Sequence, residues 1–150
     1  MINLLQYQEK LKVSQKESKK YIRCLIRNRD MVLQPEEMVR QLFLHYLVDD
    51  LGYSVKKIAV EKGLRVNNRM KRFDILIYDK KIDPYILVEC KAPHIEIDQA
   101  VMDQIGQYNL PLGAKYLVLT NGKETIHCEL SDDKKTYEYI RKLPNKISNK

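Results

Sequence analysis

The stretch Ile86–Pro93, ILVECKAP, decides the fold of this chain. Its first half is a short apolar run with β-branched residues, the composition of a buried strand. The run ends on a carboxylate and an ammonium two positions apart, Glu89 and Lys91. Residues i and i+2 of a strand point to the same face, so these charges sit side by side while Val88 and Cys90 face the other way. Placing both charges near a core is costly unless they are paired, exposed or used.

Upstream, KRFDILIYD (71–79) and KKIAVEK (56–62) are further strand candidates. In the first, Asp74, Leu76 and Tyr78 share one face and Phe73, Ile75 and Ile77 the other. The segment DKKIDP has turn composition, and a turn over 79–84 makes KRFDILIYD and PYILVECK antiparallel neighbours. The start of one strand then lies opposite the end of the other, which brings Asp74 near Glu89 and Lys91. Farther upstream, Pro35 opens a helix with Glu36 and Glu37 at the positive end of its dipole. Met38, Val39, Leu42, Phe43, Tyr46 and Leu47 form its apolar face, and Gly52 ends it at C′.

Downstream, Asp98 to Leu110 reads as a helix with Val101, Ile105 and Tyr108 at i, i+4, i+7. KYLVLT (115–120) is a fourth strand, and Asn121-Gly122 turns into a fifth, ETIHCEL. Ser131 is placed to cap a last helix with Asp132 and Asp133 in its first turn. The first 34 residues alternate weakly. Leu11 and Val13 suit one strand and Tyr21, Ile22, Cys24 and Ile26 a second, joined by SQKESKK as a hairpin. The expectation is one α/β domain, a central mixed β-sheet flanked by helices. Residues 1–34 are an N-terminal extension, 35–143 the core and 144–150 a polar, frayed tail. No internal repeat or interdomain linker interrupts it.

Composition narrows the function. With 150 residues a chain buries about 68–70% of its unfolded surface, so it needs no disulfide or metal staple. Cys24, Cys90 and Cys128 are odd in number and lack zinc-type spacing, which suits reduced thiols in the cytoplasm. No stretch approaches the ~18 apolar residues of a membrane span. The net charge of +7, from 27 Lys and Arg against 20 Asp and Glu, suits a polyanionic partner such as nucleic acid, although charge alone favours an ordinary basic surface. The five glycines form no phosphate-binding loop, which argues against nucleotide hydrolysis. His45, His94 and His127 have no zinc or triad spacing, though His94 follows the Lys91 strand closely enough to reach its end. Glu61 is assigned to strand-end solvation. RVNNRMKR (65–72) is a basic loop able to track a phosphate backbone or simply to stay solvated.

Asp74, Glu89 and Lys91 are the candidates for chemistry. Two carboxylates a few ångströms apart repel unless a cation lies between them. Mg²⁺ takes one or two carboxylates plus water and phosphate oxygens. Lys91 then serves to orient a water or offset charge on a phosphoryl group. On spacing alone, Asp74 pairs equally well with Lys71, Arg72 or Lys91 at a sheet edge.

The set Asp, then Glu-x-Lys at the end of the next strand, resembles the PD-(D/E)xK nuclease superfamily. PEEMVRQLFLHYL, KRFDILIYD, LVECKAP, DQIGQYN and YLVLTNG together resemble the N-terminal nuclease domain of type I restriction enzyme R subunits, from about Arg27 to about Leu130. The superfamily's proline is replaced by Phe73, as in many members. The resemblance implies a restriction-endonuclease-like core and Mg²⁺-dependent cleavage of DNA, with Mn²⁺ able to substitute. By it, Asp74 and Glu89 ligate the metal, the Cys90 carbonyl adds a ligand and Lys91 is the catalytic lysine. It further implies a Gln-x-x-x-Tyr pair, Gln104 and Tyr108, and an upstream helical glutamate. Glu36 falls at the border of the apolar stripe and Glu37 opposite it, so geometry favours Glu36, although a helix N-terminus accounts for both. Arg40, one turn on, either pairs with Glu36 or touches phosphate. Motor or modification subunits are the implied partners, and a non-cleaving nucleic-acid- or partner-binding module on the same fold is the alternative.

Overall fold

The computed structural model describes residues 2–146. The helix that Pro35 opens is α1, Pro35–His45, with Pro35 in its first turn and Glu36 and Glu37 beside it. It runs into a π-helical turn, Tyr46–Asp50. Gly52 at φ +80° then lets the Tyr53 N–H return to the Leu47 carbonyl at 3.0 Å, the capping that only a left-handed residue permits. Val39, Leu42, Phe43 and Leu47 bury its apolar stripe.

Three strands follow: β4 (Ile58–Val66), β5 (Arg69–Tyr78) and β6 (Pro84–Cys90), numbered after three short ones in the extension. After α2 (Gln99–Leu112) come β7 (Tyr116–Thr120), β8 (Thr125–Leu130) and β9 (Tyr137–Ile140). The sheet order is β4-β5-β6-β7-β8-β9, antiparallel except for the parallel pair β6–β7. A parallel pair needs a crossover, and α2 is that crossover. One face of the sheet packs Ile75, Ile77, Ile86, Val88 and Val118 against α1. The other packs Leu76, Leu87, Leu117 and Leu119 against Met102 and Ile105 of α2. This is the expected mixed sheet flanked by helices. No helix among the described residues is long and apolar enough to cross a membrane.

The expected last helix is a strand. Ser131 caps a turn: its N–H donates to the Thr136 carbonyl at 2.8 Å and its Oγ accepts from the Thr136 N–H at 3.1 Å. Asp133 Oδ1 accepts from the Lys135 N–H at 2.9 Å. Short polar side chains satisfy a hairpin as readily as a helix start, and Thr136, Tyr137, Tyr139 and Ile140 beyond them favour a pleated strand.

The extension also differs in detail from expectation. Asn3 caps a 3₁₀ segment, Leu4–Lys10, which has no counterpart in the expected elements. The hairpin exists as β1 (Val13–Lys16) and β2 (Lys19–Arg23), so SQKESKK supplies strand rather than linker, with Glu17 at φ +57° in the turn. A third strand, β3 (Asp30–Val32), completes an antiparallel β1-β2-β3 sheet. Cys24 and Ile26 lie beyond β2, in the turn that leads to β3. The start of the tail is anchored rather than frayed: Leu143 is fully buried, the Lys146 N–H donates to the Leu51 carbonyl, and Tyr53 Oη–H donates to the Pro144 carbonyl. The rest of the tail, 147–150, lies outside the described residues.

One buried amide locks α2 to the far edge of the sheet. Asn109 Nδ2 donates to the Ala114 carbonyl and to Tyr137 Oη, both at 2.9 Å, and its Oδ1 accepts from the Ala114 N–H at 3.1 Å. The Tyr137 ring lies over Gly106, where an added Cβ would stand 3.2 Å from it. Asn109→Ala strands buried polar groups, each costing about 1–3 kcal/mol. It is expected to lower the urea midpoint far more than Gln107→Ala on the exposed face of the same helix. Equal midpoints for the two variants would show that the network is dispensable.

Candidate active site

The site forms where β5 leaves β6. Their last backbone pair is Ile75↔Val88, so Asp74 and Glu89 occupy the next position, the approach expected from the turn between the strands. No ladder bond is made there. Asp74 Oδ2 instead accepts the Cys90 N–H at 2.7 Å, and Asp74 Oδ1 accepts from Arg40 Nη2 at 3.1 Å. The pairing of β4 with β5 likewise skips Glu61 and Asp74, with Glu61 at φ +50°. The irregularity breaks the expected alternation of faces. Phe73 packs with Leu76 on the α2 side, whereas Ile75 and Ile77 pack on the α1 side.

Glu89 is 6% exposed, and its Oε1 is buried without a hydrogen-bond partner. Burial pushes its pKa up to about 8, the neighbouring Asp74 adds to the rise, and Lys71 and Lys91 oppose it. Lys91 is half-buried at the end of β6, its N–H donating to the Thr120 carbonyl at 2.8 Å. Its ammonium lies within electrostatic reach of both Glu89 and Glu36. Cys90 buries its thiol in the α1-side core, and desolvation holds that thiol well above its ordinary pKa.

The adjacent glutamates of α1 have separate surroundings. Glu36 faces the site: burial raises its pKa, Asp74 raises it further, and Arg40 and Lys91 oppose. Glu37, across α1 from the apolar stripe, is nonetheless buried, because Arg27 of the extension bonds it there. It is 8% exposed and bonds Arg40 Nη1 at 2.6 Å, Arg27 Nη2 at 3.2 Å and Gln41 Nε2 at 2.9 Å.

Arg40 is the hub of the cluster. Besides Glu37 and Asp74, its guanidinium lies 3.5 Å from Glu61 and 3.7 Å from Glu36. Glu61, expected at a solvated strand end, also pairs with Arg27 at 2.5 Å. Burial acts to raise the Glu61 pKa, but Arg27 and Arg40 outweigh it and hold the group below its ordinary value. The i+3 and i+4 spacing of Arg40 from Glu37 and Glu36 signals two of these pairs in the sequence. Nothing local links Arg27, Glu61 and Asp74 to them.

Tyr108 is half-buried on α2, with Lys71 Nζ 5.1 Å from its ring centroid, and Lys71 in turn acts on Glu89. Gln104 is exposed on the same helix and makes no hydrogen bond to the other candidates among the described residues. His94 is exposed past the end of β6. Among the described residues no three His, Cys, Asp or Glu side chains converge as a metal shell. A cation here would have to rely on Asp74, Glu89 and a backbone carbonyl such as that of Cys90. The unpartnered Glu89 oxygen beside Asp74 suits such an ion.

A raised carboxyl pKa stabilises the fold at low pH, where the group is protonated, and that contribution is lost as pH rises through the folded value. In chelator, wild-type stability is therefore expected to carry a loss between about pH 5 and 8 that Glu89→Gln removes. Urea midpoints across that range check this, and parallel profiles for the two proteins would refute it.

No curated protein matches the chain. The family model of the type I restriction enzyme R protein N terminus matches residues 35–144. The match begins at the first residue of α1, spans the six-stranded sheet and includes Glu36, Asp74, Glu89, Lys91 and Tyr108. A mixed sheet between helices is consistent with a restriction-endonuclease-like fold, and the chain belongs to the family of type I restriction enzyme R protein N termini.

Proposed function

We propose that this domain hydrolyses DNA phosphodiester bonds with the help of Mg²⁺, for which Mn²⁺ can substitute. The observation that carries the reading is the buried, unpartnered Oε1 of Glu89 next to Asp74, two positions before Lys91. Such a group destabilises the empty fold and is tolerated where it is used. Asp74, Glu89 and the Cys90 carbonyl would hold the ion. When bound it acts as a Lewis acid on a phosphoryl oxygen and lowers the pKa of a water. Lys91 orients the attacking water or offsets charge growing on the phosphate. Glu36 faces the same space and is suited to hold a water on the side away from Glu89. Lys71 over Tyr108 adds positive charge beside Glu89, whereas Gln104 enters only if substrate draws it in.

Family membership supports DNA as substrate and motor or modification subunits as partners. The free, buried thiols Cys24, Cys90 and Cys128 suit the reducing cytoplasm. One feature favours a non-cleaving binding module instead: both Asp74 oxygens already have partners, Arg40 and the Cys90 N–H.

Plasmid nicking separates the two readings. Lys91→Ala is expected to reduce Mg²⁺-dependent cleavage by about 10²-fold or more, the scale of a lost electrostatic or acid–base group, with DNA affinity in chelator unchanged. Asp74→Ala is expected to abolish cleavage while binding DNA as well or better. Tight binding without cleavage by the wild type, with either metal, favours the binding module. Cleavage that survives Lys91→Ala unchanged places the chemistry elsewhere.

A further inference from the structure

Beyond the end of β6, the strands β4 and β5 continue as a two-stranded ribbon. Its pairs run from Lys62↔Phe73 to Val66↔Arg69, closed by Asn67 and Asn68 at φ +49° and +64°. Two successive left-handed residues make the tight turn whose twist matches its strands. Cross-strand partners share a face. Val66, Leu64 and Phe73 therefore lie together on the face packed against the α2-side core. The opposite face carries the pairs Gly63↔Arg72 and Arg65↔Met70, all exposed.

That exposed face leads out of the site. Phe73 packs toward α2, so Arg72 and Met70 of β5, with Gly63 and Arg65 of β4, face the α1 side, where Arg40 holds Asp74 and Glu61. Arg72 is near enough to Glu61 to help hold it ionised. Arg65 and Arg72 are diagonal neighbours across the ribbon, about 7–8 Å apart at the backbone. Neither takes part in an ion pair among the described residues, whereas Arg27 and Arg40 are each paired with carboxylates. Gly63 places no side chain opposite Arg72, and Met70 folds over it, its Cε 3.3 Å from where a Cβ would stand. Met70, 66% exposed, adds an apolar contact on a face that is otherwise cationic.

We propose that this face of the ribbon is the track on which the DNA backbone leaves the site, with Arg72 and Arg65 contacting successive phosphates beyond the one at Asp74 and Glu89. The proposal rests on the nuclease reading for its direction and names the surface that reading lacks. The guanidinium forks suit phosphate oxygens. Because they meet backbone rather than base edges, the contact is independent of sequence. The ribbon face also supplies positive charge where two catalytic carboxylates would repel a polyanion.

The test is anisotropy of a fluorescent DNA duplex titrated in chelator over a salt series, paired with plasmid nicking in Mg²⁺. Arg65→Ala/Arg72→Ala is expected to bind about tenfold or more weakly at moderate salt, with a log K–log[salt] slope shallower by about one per arginine removed. Arg65→Lys/Arg72→Lys keeps the charge and is expected to retain most of that slope. Lys80→Ala/Lys81→Ala removes the same charge from the exposed turn at the other end of β5 and is expected to bind as wild type. Equal losses in the two alanine pairs would reduce the effect to net charge and overturn the track. Unchanged binding by the arginine pair, with wild-type nicking intact, overturns the track and spares the nuclease reading. An arginine-dependent loss in a protein that nicks nothing keeps the track and sinks the nuclease. A wild type that neither binds nor nicks overturns both.

Discussion

A guanidinium buried to 3% exposure holds this structure together around its site. Burying Arg40 in isolation would cost several kcal/mol even after relaxation. Four carboxylates from three elements repay that cost: Glu36 and Glu37 on α1, Glu61 on β4 and Asp74 on β5. Four anions around one cation are themselves unbalanced, and Arg27 corrects this by bonding Glu37 and Glu61 from the other side. Arg27 belongs to the extension, which precedes the matched family region. The extension thus contributes more than packing: it completes the charge balance that lets Arg40 hold Asp74.

Opposed demands meet at Asp74 and Glu89. Arg40 and the Cys90 amide satisfy Asp74 within the protein, whereas Glu89 has a buried oxygen with no partner. One carboxylate is thus held in place and the other is left under electrostatic stress. The apolar sheet supplies the stability that such stress consumes, since Ile75, Leu76, Leu87 and Val88, immediately inward of the pair, are fully buried. Perturbed titratable groups of this kind concentrate at functional sites.

The sequence made the core legible wherever periodicity or a short connection carried the signal. The stripe on α1 and the capping glycine at 52 were readable, as were the strands on either side of ILVECK. Asp79 closes the β5–β6 turn through its own side chain, accepting from the Lys81 and Asp83 amides, and so brings Asp74 to Glu89. Illegible were features set by partners distant in the chain. The burial of Glu37, opposite the apolar stripe, is invisible because the extension that supplies its partner Arg27 is weakly patterned sequence. Glu61 seemed solvated because Arg27 is 34 residues away. The last helix was misread because Ser131 and Asp133 suit a helix cap and a hairpin turn equally well, and only the pairing of β9 with β8 decides between them.

The bond from the Cys90 N–H to Asp74 also bears on how this site can vary between relatives. The donor belongs to the main chain, so no side-chain replacement at position 90 deletes it; proline alone lacks the group. The thiol points into the apolar core, where small hydrophobic residues of similar volume are tolerated at modest cost. Position 90 is therefore free to drift chemically while its geometric duty is inherited unchanged. On the proposed mechanism, positions 89 and 91 act through their side chains and have no such freedom.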